Sequence, residues 1–149
     1  MTDNELAYAL TSLEIDYWYD VDHNWGRTAP EFYLEDGIFS IGDKQMIGRD
    51  AVRAFYQWRE GRGDRTARHQ VSNFRIRASD ERHATLECLM CLYAADGSPV
   101  LDSRPAIMIA DVTAQCVRGD DGRWRMATHD LKPIFMGGVP PTIPAGTSA

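Results

Sequence analysis

Thr66-Ala67-Arg68-His69-Gln70-Val71-Ser72-Asn73-Phe74-Arg75-Ile76-Arg77 alternates β-branched or aromatic residues with polar ones, the period of a strand that turns one face to a core. On that reading His69, Val71 and Asn73 share a face. Two of the three are polar, so the face either lines a pocket or holds hydrogen-bonded core groups. Three further extended stretches follow, at 84–95, 106–118 and 123–131. The segments between them, Ser79-Asp80-Glu81-Arg82, Asp96-Gly97-Ser98-Pro99 and Gly119-Asp120-Asp121-Gly122, are rich in the residues that turns require. Ser98 to Pro105 holds two prolines and reads as an extended loop.

Upstream the period changes. Leu6, Leu10, Leu13, Tyr17 and Val21 fall at helical spacing, with Thr2 or Asp3 as N-cap. A second stripe, Thr11, Ile15, Trp18 and Asp22, runs beside it, so a wide apolar surface ends in a carboxylate. Asn24 and Gly26 supply stop signals, and Thr28-Ala29-Pro30-Glu31 predicts a short helix through about Leu34. Gly37 to Gly42 and Gln45-Met46-Ile47 read as short strands. Gly48-Arg49-Asp50 opens another helix, with Val52, Phe55, Tyr56 and Arg59 on one stripe and Trp58 beside it. Helices first and antiparallel strands afterwards define an α+β domain, expected over residues 1–135, with 136–149 a Gly/Pro-rich, extended tail.

Composition narrows the function classes. A chain of 149 residues is one domain's worth. Its net charge is −6, and its longest basic run, Gly61-Arg62-Gly63-Asp64-Arg65, is interrupted by an acid, so nucleic acid is not an expected partner. The N-terminus lacks a basic region followed by an apolar run, and no stretch approaches about 20 apolar residues, so neither a signal peptide nor a membrane span is expected. Three cysteines, an odd count, indicate a reducing, cytoplasmic setting. Cys88 and Cys91 spell C-x-x-C, but on a strand residues three apart face opposite ways, which argues against a shared metal or a redox disulfide. Both faces of 84–95 and 106–118 are apolar, so the sheet needs a second cover, expected from another copy in a homodimer or homotrimer.

Several motifs in order resemble one family. They are Tyr17-Trp18-Tyr19-Asp20-Val21-Asp22 on the first helix, Glu35-Asp36-Gly37, Ile47-Gly48-Arg49-Asp50-Ala51-Val52, Arg68-His69-Gln70-Val71-Ser72-Asn73 and Asp121-Gly122-Arg123-Trp124-Arg125. Across about residues 5–132 they resemble the SnoaL-like branch of the nuclear transport factor 2-like superfamily. The resemblance implies a cystatin-like cone, a strongly curved antiparallel sheet wrapped round the N-terminal helices, with a pocket at the open end and assembly as a dimer or trimer. It also implies a choice among dehydratases, cyclases, a dehydrochlorinase and non-catalytic small subunits of aromatic-ring dioxygenases. Fold alone does not choose among these.

In the dehydratase-type members an aspartate near the end of the first helix pairs with a histidine at the start of the long strand, and Asp22 and His69 match those positions. A carboxylate bonded to one ring nitrogen fixes the tautomer and leaves the other nitrogen as a base. Tyr17, five residues before Asp22, matches a tyrosine of the bile-acid dehydratases placed to donate to a substrate oxygen, and its position on the first apolar stripe equally reads as core. The second polar group of some members falls at Met90-Cys91-Leu92-Tyr93, where Tyr93 is the available substitute, and a C-terminal arginine corresponds to Arg125 or Lys132. Trp18, Trp25, Phe55 and Trp58 either line a pocket for a small apolar or aromatic molecule or pack in the core; Asn73, Asp111 and His129 are the remaining polar candidates. Asp22, His69 and His129 have the chemistry of a two-His-one-carboxylate set, but no closely spaced ligand pair supports it, so neither metal nor cofactor is expected. Three readings stand: a cofactor-independent lyase or isomerase using Asp22, His69 and Tyr17; a non-catalytic member, either a small-molecule binder or a small subunit of an aromatic-ring dioxygenase, in which His69 is a structural, hydrogen-bonded histidine; or a purely structural dimer module.

Overall fold

The computed structural model describes residues 1–137; the rest of the expected tail, 138–149, lies outside the described residues. Helix α1 (Asp3–Asn24) begins with Thr2 and Glu5 bonded reciprocally through side chain and backbone. It ends where Trp25 turns into the left-handed region at φ 59° and Gly26 follows at φ 70°. A Cβ on Gly26 would lie 2.6 Å from the Tyr56 ring. Gly26→Ala therefore combines backbone strain with a clash and lowers stability by about 1–3 kcal/mol, measurable by urea unfolding.

The short helix expected through Leu34 is one 3-10 turn, Ala29–Phe32. Thr28 makes no side-chain cap there, and Pro30 supplies no amide N–H. Strand β1 (Tyr33–Ile41) thus starts four residues earlier than the glycine spacing suggests, and β2 (Lys44–Ile47) leads into α2 (Arg49–Gly61). The long strands are β3 (Arg65–Ala78), β4 (His83–Asp96), β5 (Met108–Arg118) and β6 (Trp124–Met136). They form one six-stranded sheet in the order β2-β1-β6-β5-β4-β3. The sheet is mixed rather than wholly antiparallel: β1 lies parallel to β6, because the chain crosses by α2 and the β3–β5 meander before returning beside β1. A Cβ on Gly37 would meet the Met126 carbonyl at 2.8 Å, so β1 comes close enough to β6 there to need glycine.

Register shifts in β1, β3 and between β5 and β6 bend the sheet around α1. Its concave face buries Leu86, Cys88, Met90 and Leu92 of β4 and Met108, Ala110, Val112 and Ala114 of β5 against Leu10, Tyr17, Trp18 and Val21 of α1. Each such large side chain contributes about 1.5–3 kcal/mol by leaving water. The convex face carries Leu89, Cys91 and Ile109, half-buried, beside exposed Asp111. Among the described residues no helix is long and apolar enough to cross a membrane.

Candidate functional site

Glu14, Trp18 and Asp22 recur every fourth residue along one line of α1, and β3 passes beside that line at His69. The backbone N–H of His69 donates to Asp22 Oδ2 at 2.8 Å, and its ring Nδ1 lies 2.6 Å from Asp22 Oδ1. With the carboxylate as acceptor, Nδ1 holds the proton and the lone pair of the neutral ring falls on Nε2. Nε2 has no hydrogen-bond partner among the described residues. The Trp18 indole stacks on the imidazole with centroids 4.1 Å apart and planes 12° from parallel. Both side chains of the pair are enclosed, His69 at 4% and Asp22 at 6% exposure.

Burial pulls the His69 pKa below its usual 6.5; the hydrogen bond and charge of Asp22 push it up, and Arg59 and Arg65 push it down again. The net lowering keeps the ring uncharged at neutral pH. Because the unfolded chain binds this proton more readily, the stability tied to it is present above pH 6.5 and falls away as the pH drops toward the lower folded value.

Behind Trp18 runs a second polar assembly. Glu14 Oε1 accepts from Trp18 Nε1 at 2.8 Å and lies 2.9 Å from His129 Nε2. His129 Nδ1 is 2.9 Å from the Tyr33 hydroxyl, Tyr33 donates to Tyr17 at 2.9 Å, and Tyr17 meets Tyr56 at 2.5 Å. All of these side chains are buried. Burial raises the pKa of all three tyrosines, so they stay phenols. His129 faces inward because Gln115 pairs with Thr128 and Cys116 with Met126, which leaves Ala127 as an extra residue and reverses the alternation beyond it.

The sequence candidates separate accordingly. Asp22, His69 and Trp18 come together. Tyr17 sits in the core, its hydroxyl engaged by Tyr33 and Tyr56 rather than turned to a ligand. Trp18 covers the imidazole instead of lining a pocket, and Phe55 is core, packed edge-on to Phe39 and Tyr56. Trp58 lies half-buried under the Arg62 guanidinium. Trp25 lines a small cavity of about 120 Å³ with Gly26, Arg27, Tyr56 and Glu60, to which neither Asp22 nor His69 contributes. His129 belongs to the Glu14 assembly and does not join Asp22 and His69 as a third ligand.

Asn73, Tyr93 and Asp111 are on the other side of the sheet. Asn73 occupies the β3 bulge at φ 58° and is exposed, so it leaves the face it would share with His69. Tyr93 pairs with Arg68 and Asp111 with Leu89, both outward positions. Arg125 is held by Asp121 in its hairpin at 2.8 Å, and Lys132 is exposed opposite Asp111, so neither brings charge to His69. The sequence reading missed two residues here, Glu14 and Arg59. Each left a signal, an ionisable residue at helical spacing among core positions: Glu14 between Leu10 and Trp18, and Arg59 after Phe55 and Tyr56.

A curved α+β sheet closed over one long helix is the cystatin-like fold. The chain matches the family model of the SnoaL-like domain over residues 7–130 and belongs to that family. Comparison with curated proteins gives no match. Among solved structures, it is similar to a scytalone dehydratase-like protein of Novosphingobium aromaticivorans, with 23% identity, 100% of each chain covered and a TM-score of 0.77. A protein of Catenulispora acidiphila in complex with S-DNPA shares 17% identity over 88% of this chain and 95% of that one, TM-score 0.74. A cystatin-like protein of unknown function from Nostoc punctiforme shares 16% over 97% of both, TM-score 0.73. At these identities the likeness is one of fold.

Proposed function

We propose that the protein is a cofactor-independent lyase or isomerase, of dehydratase or cyclase type, that acts on a small cyclic or aromatic molecule with His69 as its base. The observation that supports this is the pairing of His69 Nδ1 with Asp22 at 2.6 Å while Nε2 has no hydrogen-bond partner among the described residues. Nε2 takes a proton from a carbon beside a carbonyl: the C–H bond breaks, the N–H bond forms, and the electron pair moves onto the carbonyl oxygen. The imidazolium, stabilised by Asp22, returns that proton to a departing hydroxyl, which leaves as water, or to another carbon of the substrate. Trp18 fixes the ring plane. The SnoaL-like family and the S-DNPA complex of a similar fold agree with a small aromatic ligand. The proposal includes a cytoplasmic setting, in keeping with three free cysteines, and a homodimer or homotrimer assembled on the convex sheet face.

The test measures deuterium exchange from D2O beside the carbonyl of 2-tetralone and related cyclic ketones. Exchange should depend on pH with an acid limb below 6.5, where His69 becomes protonated. Asp22→Asn removes the charge that raises the His69 pKa and replaces one of two acceptor oxygens by a donor facing a donor. It should slow exchange by about 10–100-fold, costing about 1.5–3 kcal/mol for the lost charged hydrogen bond, and move the acid limb lower still. A limb that stays in place in Asp22→Asn removes Asp22 from the mechanism.

The enclosure of His69, at 4% exposure, favours a second reading: a non-catalytic small-molecule binder or a small subunit of an aromatic-ring dioxygenase. Absence of exchange together with co-purification of an iron–sulfur partner would establish it.

A further inference from the structure

Arg59 lies on the apolar stripe of α2 with Val52, Phe55 and Tyr56 and is nearly as buried as they are, at 8% exposure. A guanidinium has five N–H donors and keeps its charge at any ordinary pH, so enclosing one is costly unless an anion or several acceptors meet it. The other buried ionisable groups near the site are met: Asp22 by His69, Glu14 by His129 and Trp18, Arg65 by Asp96. Arg59 is different. Its Nε is buried with no hydrogen-bond partner among the described residues, and where Arg65 has Asp96, no carboxylate of a described residue stands within the 4.0 Å of an ion pair with Arg59. Its contact is the face of Tyr56, 5.8 Å from guanidinium carbon to ring centroid, which returns only a fraction of the lost hydration. The charges of Asp22 and Arg59 act on each other, and Arg59 also acts on His69, so this cation lies within electrostatic range of the proposed base.

We propose that Arg59 anchors an anionic oxygen, carboxylate or phenolate, of a ring-bearing and otherwise apolar ligand held against the Asp22–His69 pair. The planar fork of the guanidinium can donate two parallel N–H bonds to such a group, and the anion supplies a countercharge that no described residue provides within ion-pair distance. The Tyr56 ring beside the guanidinium and the burial of Arg59 give the low-water surroundings in which that pairing is strong. The inference rests on the reading of His69 as base only for the chemistry after binding: an acid fixed here presents its neighbouring carbon to Nε2, and an enolate formed there shares the same cation.

Titration of the full chain with benzoate, with benzamide as its uncharged counterpart and with 4-nitrophenolate tests this by calorimetry and by the NMR titration of the His69 ring. Benzoate or 4-nitrophenolate should bind at least about tenfold tighter than benzamide, the preferred anion showing whether the site takes a carboxylate or a phenolate. Arg59→Gln should abolish that preference, and Arg59→Lys should keep part of it, charge without the fork. The bound anion should raise the His69 pKa by offsetting Arg59, and Arg59→Gln should raise it without any ligand. His69→Ala should retain the anion preference. If it does so but leaves exchange unaffected, the base reading falls and the anchor stands. Equal binding of benzoate and benzamide, no binding of either anion, or an undiminished preference in Arg59→Gln overturns the proposal whatever His69→Ala does. Should Arg59→Gln fail to fold, Arg59→Met replaces it. Should neither fold, the anion preference of the unaltered protein, accompanied or not by the rise in the His69 pKa, decides.

Discussion

His69→Ala abolishes exchange, by about 10²–10⁴-fold, while the protein stays folded. The alanine variant keeps a backbone N–H for Asp22 Oδ2 but gives up the ring bond to Oδ1 and the surface that Trp18 covers. The stability cost of about 1.5–3 kcal/mol for a hydrogen bond to a charged group leaves a domain of this size with a folded majority. His69→Asn separates the two roles: its amide can still donate to Asp22, yet it has no nitrogen lone pair to accept a proton. Circular dichroism verifies the fold and deuterium incorporation reads the chemistry. An exchange rate in His69→Ala equal to that of the unaltered protein would end the assignment.

Glu14→Ala has the largest expected effect on stability, about 3–5 kcal/mol. One carboxylate oxygen serves both Trp18 Nε1 and His129 Nε2 in a region where Glu14 and His129 are 1% and 0% exposed. Truncation strands two buried nitrogens at about 1–3 kcal/mol each and opens a void beneath the indole. Glu14→Gln retains a carbonyl oxygen and should lose less than half as much. Urea unfolding measures both, and a loss under about 1 kcal/mol for Glu14→Ala would mean that water or a shift of neighbours satisfies the two nitrogens. Near-UV dichroism should change in parallel, since Trp18 is released from the line that holds it on His69.

These two residues also show what was legible in the chain. Helical spacing placed Asp22 at the end of a stripe on α1 and strand alternation gave His69 a face shared with Val71, but that the two meet was legible only through the resemblance to the SnoaL-like family. Glu14 was not recognised. A glutamate on a helix is normally solvated, and its two partners are local and remote at once: Trp18 one turn away, His129 a hundred and fifteen positions on. Bulges set the faces of both Asn73 and His129, with opposite results. Strict alternation puts Asn73 inside with His69, and the β3 bulge sends it out; the bulge at Ala127 brings His129 in. Tyr93 and Asp111 obey alternation, but a sheet with apolar residues on both faces gives no hint which face curls around the helix.

The sequence by itself determined the helical stripes, most of the element order and the α+β class, since periodicity and capping are local properties of the chain, while the pairing of Asp22 with His69 was an expectation carried by the family resemblance. The tertiary structure decided the rest: the parallel contact of β1 with β6, the bulges that choose each side chain's face, the enclosure of His69 under Trp18, and the burial of Arg59 with no carboxylate of a described residue in ion-pair distance. Those features depend on how distant segments meet. Burial, and with it the cost of a charge or the availability of a lone pair, exists only once the sheet has closed over α1.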